Sequence, residues 1–334
     1  MCGVLNSINM TEERSSASHL SIAMTTTSMT HVTGGTVSSR GVEFYFQCAV
    51  LLVGVVGTAA NGLVLYALVA SKQHKKLPLI INQNVLDLSS SFVMIITYLM
   101  KLCNPYLTGS FGKFLCVLLV TDNLIWWANS GAIVNLAVIT VERYLKVVYA
   151  VWSKNRLRKW LIHVAMVIPW VVASVSCVAN VASRYPGSDV IEGVCYSRIV
   201  FVSKTARVIY IIWDLLSFYF IVIIIFIFCY TLILVAVRRQ ARVMAGHSAA
   251  AQAHSNQIQT NVIKTMVLVG ALYTISWATM YISGILVYLY PYPLPRDRMY
   301  YTTVLLGYSY MCTNPFIYAT KFDPVKQVLL RMTH

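Results

Sequence analysis

Charge is what this chain of 334 residues has least of: 11% of it is Asp, Glu, Lys or Arg, while 58% is apolar. Soluble domains carry about twice that share of charge, so a globule that folds in water is excluded and lipid becomes the solvent the composition fits. Acids are scarcer than bases, 11 against 26, which leaves a net charge of +15. Also missing are a Cys-x-x-Cys pair, a His cluster at metal-ligand spacing, a glycine-rich phosphate loop and paired carboxylates, and without them nothing points to an enzyme. The Ser- and Thr-rich start of the chain lacks the short apolar core of a cleavable signal, so the first apolar run is expected to act as its own insertion signal. Internal repeats are absent too, whereas many transporters are built from paired ones.

Long apolar runs are what the chain does have. A helix of about 20 apolar residues crosses a bilayer, and seven runs reach that length, at roughly 44–70, 79–100, 114–142, 160–182, 206–237, 262–290 and 299–320. The predicted fold is all-α membrane, a seven-transmembrane helix bundle. An odd number of spans sets the two termini on opposite sides, and the basic residues decide which is which. Lys72, Lys75 and Lys76 follow span 1; Arg143, Lys146, Lys154, Arg156, Arg158 and Lys159 follow span 3; Arg238, Arg239, Arg242 and Lys264 flank the loop between spans 5 and 6; Lys321, Lys326 and Arg331 close the chain. Only Glu142 and Asp323 oppose them. By the positive-inside rule that face is cytoplasmic, which predicts a multi-pass plasma-membrane protein with its N-terminus outside. A basic inner face beside anionic lipid accounts for most of the net charge, so no nucleic acid partner is needed.

Three segments follow. Residues 1–41 form an extracellular tail in which Asn9-Met10-Thr11 reads as a glycosylation acceptor. Residues 42–320 form the bundle. Residues 321–334 form a short cytoplasmic tail, where Phe322, Val325, Val328, Leu329 and Met332 recur at helical spacing and predict a short amphipathic eighth helix on the inner leaflet. The chain stops at His334 without a lipid-acceptor Cys after that helix, so a tail that continues in the natural protein is one expectation. The stretch 245–253 and its flanks read as a mobile linker, and 183–203, with Pro186, Gly187 and Cys195, as a loop over the outer mouth. Of the eight cysteines, Cys48, Cys229 and Cys312 fall within spans and read as packing residues. Cys2, Cys103, Cys116 and Cys195 fall outside, and Cys177 near the outer end of span 4, where an oxidising exterior permits bridges.

Span 3 ends in Val141-Glu142-Arg143-Tyr144 and span 7 in Asn314-Pro315-Phe316-Ile317-Tyr318. Together with Asn61 in span 1, Asn84-Val85-Leu86-Asp87 in span 2, Trp277 in span 6 and Cys116 at the head of span 3, in that order, they resemble rhodopsin-like G-protein-coupled receptors over about 44–332. The resemblance implies a receptor that carries an extracellular signal to a heterotrimeric G protein, and it implies roles for single residues. Asp87, a carboxylate at membrane depth that must be hydrated, paired or protonated, would share a water or sodium pocket with Asn61 and Asn314. Pro315, without an amide hydrogen, would kink its helix. Tyr230 and Tyr318 would swing inward on activation, and Arg143 would rest against Glu142 until it turns to the G protein. Val151 would insert into that partner, amid basic residues that suit an acidic surface. Cys116 and Cys195 would form the bridge from span 3 to the second outer loop. No cofactor is implied beyond a sodium ion.

The chain also departs from that pattern. Cys116 and Arg143 are two residues further apart than in the family, so span 3 is expected to bulge. Counting back from Arg143 puts Ile125 at the family's ligand anchor, and counting forward from Cys116 puts Asn123 there. Neither is the Asp that amine receptors use, although Asp122 is adjacent to one of them. Tyr308 stands where opsins hold retinal on a Lys, which excludes a retinal Schiff base. Two family prolines are replaced by Val222 and Thr279, which predicts stiffer or displaced hinges. Gln259 replaces an acid that restrains Arg143 in relatives, and raised basal signalling is expected from its loss.

For a ligand, the second intramembrane acid, Asp214 of span 5, is the first candidate, with hydration near the surface or pairing with Arg207 as its plainer explanation. Asn123, Trp126, Trp127, Trp277, Tyr281 and Tyr308 complete the candidate set, although aromatics in spans also serve as packing. The outer face carries Lys101, Lys113, Arg184, Arg198, Lys204, Arg207, Arg296 and Arg298 and suits an acidic or amidated peptide slightly better than a small molecule. The competing expectations are a constitutively active receptor without a ligand and, from another class, a transporter or channel.

Overall fold

A computed structural model describes residues 37–73, 77–197, 200, 203–244, 250–289, 296–321 and 323–332. Residues 1–36 of the expected tail, with Asn9, the 245–249 part of the linker and the side chains of Arg207 and Gln259 lie outside the described residues, while 37–41, expected as the end of the tail, already belong to the first helix. Span 1 is α1 (Val37–Ala70) and span 2 is α2 (Pro78–Cys103). Span 3 comprises α3 (Gly109–Leu115), a π-helical turn (Cys116–Val120) and α4 (Asn123–Val148), and α5 (Ala150–Arg156) follows it in the inner loop. Span 4 is α6 (Lys159–Arg184), followed by the strands β1 (Ser188–Ile191) and β2 (Val194–Ser197). Span 5 comprises α7 (Lys204–Leu215), a second π turn (Leu216–Phe220) and α8 (Ile221–Met244), and span 6 is α9 (Ala250–Leu289). Span 7 is split into α10 (Arg296–Met311) and α11 (Thr313–Lys321), and α12 (Asp323–Met332) is the amphipathic segment.

Among the described residues six helices are long and apolar enough to cross a membrane unbroken. The seventh run is present but interrupted at Cys312, three residues before Pro315, which cannot donate an amide hydrogen. The broken backbone there is repaired locally: Thr313 Oγ1 donates to the Tyr310 carbonyl at 2.7 Å, and Cys312 Sγ to the Val53 carbonyl of span 1 at 3.2 Å.

Lipid offers no hydrophobic drive between helices, so close approach and polar contacts must hold the bundle. Both are present. A side chain at Gly57 in span 1 would strike Cys312 Sγ and Ser91 Oγ, so only glycine lets spans 1, 2 and 7 meet there. Spans 2, 3 and 4 are tied by amides. Asn82 donates to Asn135 at 2.9 Å and accepts from Trp170 at 3.0 Å, while Asn135 donates to Gln83 at 2.9 Å. Large apolar side chains such as Leu52, Val175 and Ile224 are exposed on the outside of the bundle, as lipid-facing positions must be.

The expected bulge in span 3 takes a specific form. The helix widens to a π turn from Cys116 and then breaks at Asp122, whose φ of 61° is left-handed, before restarting at Asn123. The Val117 carbonyl freed by this distortion accepts from Thr121 Oγ1 at 2.5 Å and from Asn123 Nδ2 at 2.7 Å. Span 5 is likewise deformed without its family proline. Its π turn ends just before Val222, and Tyr273 of span 6 donates its hydroxyl to the Phe218 carbonyl that the turn exposes. At Thr279 span 6 continues unbroken. Of the stiffer or displaced hinges expected from the two replacements, span 5 carries a π turn, which can bend a helix as a proline does, and span 6 runs on as a continuous helix.

Candidate functional site

Span 4 runs into the outer hairpin, which begins at Ser188, where the side chain donates to the Arg184 carbonyl at 2.8 Å. Its strands pair antiparallel with Val190 opposite Cys195, and a two-residue left-handed turn at Glu192 (φ 51°) and Gly193 (φ 80°) joins them. Gly193 lies against the ring of Tyr106, where a Cβ would not fit. Cys195 bonds Cys116 with Cα atoms 5.5 Å apart, so the hairpin is fastened to the head of span 3 as the resemblance implied. Closing such a loop contributes about 2 to 4 kcal/mol.

Beneath this lid the predicted ligand residues separate into groups. Trp126 meets Trp277 edge-on at 5.5 Å, and Trp277 packs on Tyr273 at 6.3 Å. Trp277 is buried, and its ring N–H has no partner among the described residues. Asp214 accepts from the Tyr281 hydroxyl at 3.4 Å, a long contact, and Tyr281 packs on Tyr219 at 4.9 Å. Tyr308 is buried against Tyr98 of span 2 at 6.4 Å. Two candidates point elsewhere. The amide of Asn123 is spent on the Val117 carbonyl, because it heals the bulge. Trp127 turns to span 4, where it lies 5.7 Å from Trp170 and donates to Ser174 at 3.2 Å. Ile125, the other possible anchor, is fully buried in the core.

One pair at the mouth was not foreseen. Lys101 of span 2 reaches Asp122 at 2.7 Å, with the side chains only 4% and 7% exposed, and its ammonium sits 4.5 Å over the ring of Tyr98. The signal available was Asp122 itself, an acid inside an apolar run, but its partner lies 21 residues away and only the fold brings it near.

At mid-depth the Asp87 carboxylate accepts from Asn314 Nδ2 at 2.7 Å and from Gln83 Nε2 at 3.1 Å. Asn61 does not touch it; its oxygen accepts from Asn84 at 3.1 Å, and its amide donates to the Gly57 carbonyl at 3.0 Å. Among the described residues the Asn314 and Asn84 side-chain oxygens are buried without a donor. A carboxylate with buried amide oxygens is a hard donor set that fits sodium or water. Gln83, not Asn61, is the second residue on the carboxylate, and its position one turn before Asp87 was the available clue.

At the cytoplasmic end Glu142 is buried between Arg143 Nε at 3.1 Å and the Lys146 ammonium. The Arg143 approach is an ion pair without hydrogen-bond alignment. Tyr230 shares a hydrogen bond of 3.0 Å with Thr140, whereas the buried Tyr318 hydroxyl has no partner among the described residues. Pro315 is buried in the first turn of α11, where a missing N–H is tolerated. Val151 is 78% exposed on α5 beside the half-exposed Trp152. Two exposed apolar side chains on the inner loop suit a contact with another surface.

Comparison with known proteins agrees with this arrangement. The family described as 7 transmembrane receptor (rhodopsin family) matches residues 60–318. Somatostatin receptor type 5 of Rattus norvegicus is 26% identical over 294 residues, covering 83% of this chain and 74% of its own length. Somatostatin receptor type 3 of Homo sapiens is 26% identical over 291 residues, covering 84% of this chain and 67% of its own. The crystal structure of squid rhodopsin superposes with a TM-score of 0.69 at 18% identity, over 87% of this chain and 85% of that one.

Proposed function

This chain belongs to the rhodopsin family of seven-transmembrane receptors, and on that premise we propose that it answers an extracellular peptide by activating a heterotrimeric G protein. It is a multi-pass plasma-membrane receptor, and its work in this reading is binding and change of shape, with no catalysis. The observation that carries the proposal is the cytoplasmic end: Arg143 paired with Glu142 of its own helix, and Val151 exposed on the short helix that follows. Such a pair occupies the arginine in one state and can be given up for a partner in another, which suits the two-state behaviour that signalling needs. The peptide is supported by relatives named for somatostatin and by the basic outer loops. Asp214 with Tyr281, and Trp126 with Trp277, are the contacts proposed for it. Sodium or water at Asp87 and a glycan at Asn9 belong to the same proposal.

Purified receptor in nanodiscs, assayed for nucleotide exchange on each G-protein subtype with and without a peptide panel that includes somatostatin, tests it. Exchange on one subtype is expected, and silence on all of them under every stimulus would end the proposal. A receptor with raised basal activity is the second reading, and Gln259 in place of an acid is its motive. Basal second-messenger levels equal to those of mock-transfected cells would remove it.

A further inference from the structure

Span 4 enters the membrane from its cytoplasmic end at a sharp corner. The inner-loop helix α5 ends at Arg156 and α6 begins at Lys159, so only Leu157 and Arg158 lie between them. The corner is closed by its own backbone: the Leu157 amide donates to the Ser153 carbonyl at 2.9 Å, the Arg158 amide to Arg156 at 2.9 Å and the Leu161 amide to Arg158 at 3.0 Å. Lys154, Arg156, Arg158 and Lys159 are all exposed on it. No other stretch of six residues in the chain holds as many cations.

The chain offers these charges no acid. Between Glu142 and Asp189 there is none, and of the two acids on the cytoplasmic side Glu142 is taken by Arg143 and Lys146. The other, Asp323, opens α12, which packs on span 1 and α11, whereas span 4 packs on spans 2 and 3. Exposed charges in water need no partner, but these are not placed simply in water. The same helix carries an exposed apolar stripe, Trp160, Val164, Val167, Val171 and Val175, at the three- and four-residue spacing of one helix face. In a bundle that crosses a bilayer such a stripe is coated by acyl chains, and an exposed Trp at its end marks the interface. The headgroups of those lipids therefore lie at the level of Arg158 and Lys159, the two residues that precede Trp160.

We infer that the corner between α5 and span 4 binds a lipid headgroup that carries phosphomonoesters, with Arg156, Arg158 and Lys159 on the phosphates and the acyl chains along the stripe. Crowded cations repel one another until a multiply charged anion lies between them, and guanidinium forks match phosphate oxygens two at a time. Each cation this close to anionic lipid contributes about a fivefold preference. Such a site requires the bundle's orientation in the membrane and nothing of its signalling.

The probe is phosphatidylinositol bisphosphate in phosphatidylcholine nanodiscs that hold the full chain, with bound lipid counted by native mass spectrometry. Saturable binding is expected, and phosphatidylserine at the same total charge should bind at least about tenfold more weakly. Arg158→Gln together with Lys159→Gln should weaken binding of the bisphosphate about tenfold or more. The matched control, Arg238→Gln with Arg239→Gln, removes the same charge from exposed residues at the inner end of span 5 and should change it less than about twofold. Equal losses in the two pairs would leave only diffuse attraction and overturn the inference, as would phosphatidylserine matching the bisphosphate. Soluble inositol trisphosphate binding as tightly as the lipid would overturn it too, since the membrane would then contribute nothing. Normal lipid binding with lost nucleotide exchange in the Arg158 and Lys159 variant would assign the cluster to an acidic protein partner instead. If that variant does not fold, the contrast between the two lipids on the unaltered chain decides. Lipid binding without exchange on any G protein would sink the receptor reading alone, and exchange without lipid binding would sink this site alone.

Discussion

The two ends of span 3 bury an acid in opposite ways. At the outer end Asp122 sits in a broken helix and is held by Lys101 from another span. At the inner end Glu142 sits in regular helix and is held by Arg143 and Lys146 of its own span. A pair between helices ties their relative positions, because moving either one separates the charges in a medium that penalises it. Pairing within one helix leaves that helix free to move as a body. The difference makes the outer end an anchor and the inner end a release point, which suits a receptor whose motion must appear on the cytoplasmic side.

That contrast can be broken first at the anchor. Lys101→Met should cost about 3 to 5 kcal/mol, because it strands a buried carboxylate, and a large fall in thermal midpoint in nanodiscs would register it. Replacing both partners at once, Lys101→Met with Asp122→Leu, should recover most of that loss; no recovery would show that the pair is not the anchor. Removing the bridge by Cys116→Ser should cost about 2 to 4 kcal/mol, read as reduced surface expression and a lower midpoint. Asn123→Ala leaves the Val117 carbonyl to Thr121 alone and should cost about 1 kcal/mol, with ligand potency little changed if the side chain serves the bulge and not the pocket. The smallest effect on stability belongs to the release point. Glu142→Gln should shift the resting equilibrium by about 1 kcal/mol, a roughly fivefold rise in basal nucleotide exchange, with an unchanged thermal midpoint. A fall in midpoint as large as that of Lys101→Met would erase the distinction between the two ends.

Much of this could be read before any coordinates. Seven apolar runs, the basic inner face, the ordered motifs and the two extra residues between Cys116 and Arg143 all follow from local composition and spacing, since lipid excludes charge wherever it occurs in the chain. Even the existence of a distortion in span 3 was legible as a count. Its form was not. Asn123 became a bulge-healing amide and Trp127 a contact of span 4 because a π turn followed by a left-handed residue rotates the helix face by an amount that spacing cannot express.

The order of elements, their orientation and the family were determined by sequence alone, because the bilayer imposes length and polarity on every crossing segment separately. Which acid found which base was decided only in the folded bundle. Lys101 with Asp122, and Asn314 on Asp87, depend on where segments far apart in the chain come to rest. Electrostatic energy in a low dielectric depends on distance in space, and the linear sequence does not carry that distance.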